Sequence, residues 1–192
     1  MKKIFSLLII LIFAVSMCSC SDNAKKTNSA SDKSTAVDSG EKSNVQKPST
    51  DEQKNAFEDA QNYLEYMAFS YEGLIAQLEH DGYSRADAAI AVDNCTVDWN
   101  EQALTKALSY LEYSSFSRKG LIGQLEYNMF TDEQVAYAVE NCNVSWKEQA
   151  VKTAERYLEY SSYKREELIT QLEFEGFSKE EAEYAADQSG LK

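Results

Sequence analysis

Between residues 56 and 95 the apolar positions fall into three short stripes at helical spacing. Ala56, Ala60, Tyr63, Leu64 and Met67 form the first. Tyr71, Leu74, Ile75 and Leu78 form the second at i, i+3, i+4, i+7, and Ala88, Ala91, Val92 and Cys95 the third. Apolar residues recurring every three to four positions predict amphipathic helices, one for each stripe. The set then repeats: Tyr63-Leu64-Glu65-Tyr66 returns as Tyr110-Leu111-Glu112-Tyr113 and Tyr157-Leu158-Glu159-Tyr160, an offset of 47 each time (110 − 63 and 157 − 110). The same offset carries Leu74-Ile75-x-Gln77-Leu78-Glu79 onto Leu121-Ile122-x-Gln124-Leu125-Glu126 and Leu168-Ile169-x-Gln171-Leu172-Glu173. A fixed period in this range marks modular stacking. The pattern predicts an all-α chain of three tandem three-helix repeats over 51–97, 98–144 and 145–192.

The polar residues between the stripes supply boundaries. Ser84 with Asp87, Thr131 with Gln134 and Ser178 with Glu181 have capping-box spacing at the start of each third helix. Asp98 with Glu101 and Ser145 with Glu148 have it at the start of the first helix in repeats 2 and 3. Gly82 and Gly176 suit a left-handed turn after the second helix. Met129 fills that slot in repeat 2, so the neighbouring Asn128 is expected to take the left-handed conformation, or the turn to be strained. Trp99 and Trp146 stand just inside repeats 2 and 3, where repeat 1 has Glu52. Only repeats 2 and 3 have a predecessor, so the indoles are expected to fill junctions with the preceding repeat. Cys95 and Cys142, a whole repeat apart, are expected to be reduced thiols, since a disulfide tolerates only about 7 Å between Cα atoms.

The first fifty residues read differently. Lys2 and Lys3 precede an apolar run from Ile4 to Val15, closed by Ser16-Met17-Cys18-Ser19-Cys20. This is secretory-signal architecture over residues 1–19, and the run is shorter than the roughly 20 residues that a membrane-spanning helix needs. A small residue, Ser19, before a thiol resembles a bacterial lipoprotein signal, which makes Cys20 the expected lipidation site. Residues 20–50 are rich in Ser, Asn, Asp, Thr, Ala and Lys and cannot bury enough apolar surface to fold. They are expected to form a tether, about 30 Å root-mean-square as a coil and about 100 Å pulled straight.

Charge follows the same division. Residues 52–192 carry 27 Asp and Glu against 12 Lys and Arg, a balance of −15, whereas residues 21–51 carry five of each sign. A surface this acidic repels phosphate backbones and anionic lipid headgroups and favours a basic partner.

Catalytic chemistry finds little support. His80 is the only histidine, and its counterparts are Tyr127 and Phe174. The chain has no Gly-rich phosphate loop, no calcium loop and no H-E-x-x-H motif. The recurrent acids lie off the apolar stripes, unlike a buried glycosidase pair. No enzyme activity, metal, cofactor or small-molecule substrate is expected. What recurs is polar: Glu65, Glu112 and Glu159 point away from the stripe of their helix, and Glu79, Glu126 and Glu173 flank theirs. These are either a solvated face or a row of carboxylates that docks a basic segment, with Tyr66, Tyr113 and Tyr160 beside the first set as amphipathic anchors.

The stretch YLEYSSFSRKGLIGQLEYNMFT in repeat 2 and the seams NCTVDWNEQA and NCNVSWKEQA resemble the repeat of host cell surface-exposed lipoproteins of the Ltp type, over all of residues 51–192. The resemblance implies a compact helix-turn-helix-like unit. In phage-borne members it implies superinfection exclusion, in which a lipoprotein anchored outside the cell membrane blocks DNA entry by engaging the tape-measure protein of an incoming phage. The alternative is a chromosomal surface lipoprotein acting as a non-catalytic adhesin or scaffold for a host or cell-wall component. DNA binding does not follow from the helix-turn-helix likeness: Ser84 to Cys95 holds one arginine and two aspartates, and recognition helices need cations facing phosphates.

Overall fold

A computed structural model describes residues 45–191, and the expected signal, Cys20 and most of the tether lie outside them. Helices α1 (Asp51–Tyr66), α2 (Tyr71–His80) and α3 (Arg85–Asp93) make repeat 1. Repeat 2 holds α4 (Trp99–Tyr113), α5 (Arg118–Tyr127) and α6 (Asp132–Asn141), and repeat 3 holds α7 (Trp146–Tyr160), α8 (Arg165–Phe174) and α9 (Lys179–Gln188). No strand occurs among the described residues. The chain is all-α with three three-helix repeats, as the periodicity predicts.

Each repeat buries its own apolar cluster. In repeat 1 the cluster is Ala56, Ala60, Leu74, Ile75, Leu78, Ala88, Ala91 and Val92. The first and third helices of each repeat pack most extensively, because alanines face alanines: Ala56 and Ala60 against Ala88 and Ala91, all fully buried. Small side chains let the two backbones approach, and the leucines of the second helix close the remaining side. Burying one such leucine contributes about 2 kcal/mol, so the second helix is held by its three large aliphatic residues more than by its own propensity. Met67, at the end of the first stripe, does not join them: it caps α1 in an extended conformation and is exposed.

The turns follow from backbone chemistry. After α2, Gly82 adopts φ 105°, with the Tyr83 amide donating to Leu78 O (3.1 Å); Gly176 at φ 93° and Phe177 to Leu172 O (3.1 Å) do the same after α8. This is the six-to-one bond of a Schellman ending, with an aromatic residue just beyond the left-handed position. In repeat 2 the left-handed residue is Met129 itself, at φ 62°, while Asn128 stays at φ −84°, contrary to the expectation that Asn128 would substitute. The asparagine is held by its own side chain, whose Nδ2 donates to Gln124 O (2.7 Å) and to the Tyr110 hydroxyl (2.8 Å).

The capping boxes divide. Those of Thr131 with Gln134 and Ser178 with Glu181 are complete. Asp98 and Ser145 accept from their helix amides, but the expected return bonds are diverted, since the Glu101 carboxylate accepts from the Tyr137 hydroxyl and that of Glu148 from the Tyr184 hydroxyl (3.3 Å). Asp87 likewise turns to Ser84 Oγ (2.7 Å) and Gln53 Nε2 (3.0 Å) instead of its cap's amide.

Candidate partner-binding surface

The repeats meet through a polar joint. Ser70, the N-cap of α2, is almost wholly buried: its Oγ accepts from the Gly73 amide (2.9 Å) and donates across the seam to Asn128 O (2.6 Å) at the end of α5. Ser117 repeats this with the Gly120 amide (2.9 Å) and Glu175 O (2.6 Å). One repeat onward, Gln102 Oε1 accepts from the Phe69 amide (3.2 Å) and Gln149 Oε1 from the Phe116 amide (3.3 Å). Gly73 and Gly120 leave room for the serine, because a Cβ would stand 2.8 and 3.1 Å from the Oγ of Ser70 and Ser117. The sequence carries the signature of this joint. Lys164 and Glu167 take the serine and glycine positions in repeat 3, and Asn55 takes the glutamine position in repeat 1. The Trp99 ring packs on the core of repeat 1, edge-on to Tyr71 (5.6 Å between centroids), and Trp146 packs on the core of repeat 2. Reading the seams from the indoles alone misses the buried hydrogen bonds beside them.

A second recurrent network ties the first helix to the end of the second. Gln77 Nε2 donates to the Tyr63 hydroxyl (3.3 Å), which donates to Asp81 Oδ2 (2.8 Å). Gln124, Tyr110 and Asn128 repeat it in the second unit, with Asn128 as donor, and Gln171, Tyr157 and Glu175 in the third. Burial and the neighbouring Asp81 carboxylate push the Tyr63 hydroxyl up to about 12, and burial followed by Glu175 raises Tyr157. Tyrosine on the apolar stripe therefore also serves as a polar strut. It brings the C-terminal end of each second helix against the last turns of each first helix.

That end carries the exposed residues. Glu65, Glu112 and Glu159 are exposed, as are Tyr66, Tyr113 and Tyr160 beside them, the tyrosines at 79, 85 and 79%. Glu79, Glu126 and Glu173 are also exposed on the second helices. The three are not equivalent: Arg85 spans Glu72 (2.7 Å) and Glu79 (3.0 Å), whereas Asp132 replaces that arginine in repeat 2 and no cation among the described residues lies within salt-bridge reach of Glu126. His80, Tyr127 and Phe174 follow these glutamates, and the last two were not among the expected anchors. Their exposure, 77 and 86%, could have been suspected from their off-stripe positions.

Between repeats 1 and 2 a cavity of about 280 Å³ is lined by Phe69, Lys106, Tyr127, Met129 and Phe130, and burial lowers the affinity of Lys106 for its proton. Among the described residues no group of three His, Cys, Asp or Glu is placed to hold a metal ion. Cys95 and Cys142 are free, and burial pushes the Cys95 thiol up to about 11. Among the described residues no nucleophile is positioned against a base. The exposed positions present carboxylates and ring faces to solvent.

Comparison with known proteins finds three tandem repeats. The family model described as host cell surface-exposed lipoprotein matches three times in tandem, at residues 51–95, 98–142 and 145–188. A solved structure similar to this chain is that of Ltp, a superinfection exclusion protein from the Streptococcus thermophilus temperate phage TP-J34, with 36% sequence identity over 48% of this chain and 97% of that one, at a TM-score of 0.46. Comparison with curated protein sequences gives no match. Three consecutive matches, each covering one helical unit and together spanning most of the chain, establish that it belongs to the Ltp family of host cell surface-exposed lipoproteins.

Proposed function

We propose that this protein is exported, lipidated at Cys20 and held outside the cell membrane, where its acidic repeats capture a basic protein segment and exclude an incoming phage by blocking DNA injection. The tape-measure protein of that phage is the partner the family resemblance implies. The observation that carries this reading is the acidic face: Glu65, Glu112 and Glu159 stand exposed at one repeat interval on a folded part with a balance of −15. Membership of a surface-exposed lipoprotein family supports the location, and the reading is of a binding protein without catalysis, cofactor or nucleic-acid partner.

The test replaces Glu65, Glu112 and Glu159 together by Gln. Helicity stays unchanged, because these side chains lie outside the cores, while protection against phage falls. Capture of the basic partner also weakens as salt rises through the physiological range, where the screening length is already about 8 Å. Single replacements matter less, since three tethered copies supply avidity. Full phage resistance in cells displaying the triple variant at normal levels would reject this face. The anchor is tested separately: Cys20→Ala releases the protein from the membrane, and a variant that stayed bound would overturn the lipid attachment.

A further inference from the structure

Seven of the nine exposed large apolar side chains among the described residues lie at the ends of the first or second helices of the repeats: Tyr66, Met67, Tyr113, Tyr127, Met129, Tyr160 and Phe174. A soluble surface scatters such residues singly, and concentration at one structural position marks an interaction site. The two groups share one end of each repeat, because the Tyr110 contact with Asn128 and the Tyr157 contact with Glu175 join the last turn of the first helix to the end of the second. Tyr113 lies one turn beyond Tyr110, and Tyr127 precedes Asn128.

The helix ends themselves are short of positive charge, and the cations near them in repeat 2 come from elsewhere: Arg156 of α7 donates to Ser114 Oγ (3.1 Å) and Lys106 lies over the Tyr110 ring (5.6 Å). A helix C-terminus presents unpaired carbonyls and a partial negative charge, which proteins commonly offset with Lys or Arg in the last turn. None of the six first and second helices has either there, and His80 is the only basic residue in those turns. Exposed ring faces, carboxylates at Glu112 and Glu126, and helix ends with no Lys or Arg of their own therefore occur together. Arginine is the side chain that uses the rings and the carboxylates at once, because its planar guanidinium stacks on aromatic faces while its N–H groups reach oxygen acceptors; lysine is a compact, strongly hydrated charge that stacks less well.

Resting on the proposed capture of a basic segment, we infer that the captured segment is recognised through arginine, stacked on the aromatic ends of repeats 2 and 3. Repeat 1 contributes less. It has His80 where the others have Tyr127 and Phe174, and Arg85 already occupies Glu79.

The experiment measures binding of alternating arginine–serine and lysine–serine peptides of equal length to the purified full chain in detergent. The arginine peptide binds several-fold more tightly. Tyr113→Ser with Tyr127→Ser removes roughly five- to thirtyfold of its affinity, the range for two exposed cation–π contacts, and removes the preference over lysine. Tyr66→Ser with His80→Ser costs less than half of that factor. The substituted side chains are exposed, so unchanged far-ultraviolet circular dichroism verifies folding. Equal binding of the two peptides, or an arginine preference that survives loss of the repeat 2 rings, overturns the inference. If the Glu65, Glu112, Glu159 to Gln variant loses binding while ring removal does not, the arginine stacking fails and the acidic-face reading stands. If the rings matter and those glutamates do not, the acidic-face reading fails and the arginine stacking stands.

Discussion

Ser117→Ala tests the joint between repeats 2 and 3 at a buried hydroxyl that bonds on both sides of the seam. The hydroxyl caps α5 by accepting from the Gly120 amide, and it also donates to Glu175 O in the next repeat. Loss of a serine N-cap costs about 1 kcal/mol. Loss of the seam bond costs about 1 kcal/mol more, because Ser117 is 3% exposed and water cannot readily replace its hydroxyl. The expected total is roughly 2 kcal/mol. The control is Ser178→Ala, an N-cap inside repeat 3 that accepts from the Glu181 amide (3.3 Å) with no contact across a seam, for which only the capping cost of about 1 kcal/mol applies. Urea unfolding followed by circular dichroism compares the two. Hydrogen exchange adds where the loss falls: because stacked repeats are stabilised by nearest-neighbour interfaces, weakening one seam speeds opening of α7 to α9 more than of α1 to α3. Equal destabilisation by Ser117→Ala and Ser178→Ala, with uniform exchange changes, would refute the polar joint as a coupling element.

Three further outcomes follow from the same geometry. Met129→Gly stabilises the chain by about 0.5 to 1 kcal/mol in urea, because Met129 sits half-exposed at φ 62°, where a side chain is strained and glycine is not; a destabilised variant would show that its apolar contacts outweigh the strain. Trp146→Ala costs about 2 kcal/mol, less than a wholly buried indole would, whereas Glu52→Ala at the exposed equivalent costs almost nothing, and similar urea midpoints would remove the tryptophan from the seam. Stability falls in alkali: the hydroxyls of Tyr63, Tyr71 and Tyr83 lie near 12 in the fold against an ordinary value near 10, so their contribution is complete below about pH 10 and is lost as pH rises through 12. Tyr63→Phe should flatten that decline, and a pH-independent melting temperature between pH 9 and about 11.5 would contradict the raised values.

The sequence by itself determined the helices, their number per unit, the period and the sign of the surface charge. These are local or repeated properties: a stripe such as Leu74, Ile75 and Leu78 records burial within one helix, and a 47-residue offset multiplies the signal threefold. It also set Glu65, Glu112 and Glu159 outside the stripes, because helical phase fixes direction. Tertiary structure decided what the polar residues do. Ser70 reaches Asn128 and Ser117 reaches Glu175 across 58 residues, and although the serines recur at the repeat interval, nothing in that recurrence says which carbonyl each one meets. Arg85 removes Glu79 from the free carboxylates, although the motif around Glu79 matches those around Glu126 and Glu173. Met129 takes the left-handed position because the hydrogen bonds of Asn128 to Tyr110 and Gln124 hold the asparagine elsewhere. Apolar burial averages over many contacts and survives as a pattern, whereas a hydrogen bond depends on one donor meeting one acceptor within a few tenths of an ångström, and only the folded arrangement supplies that meeting.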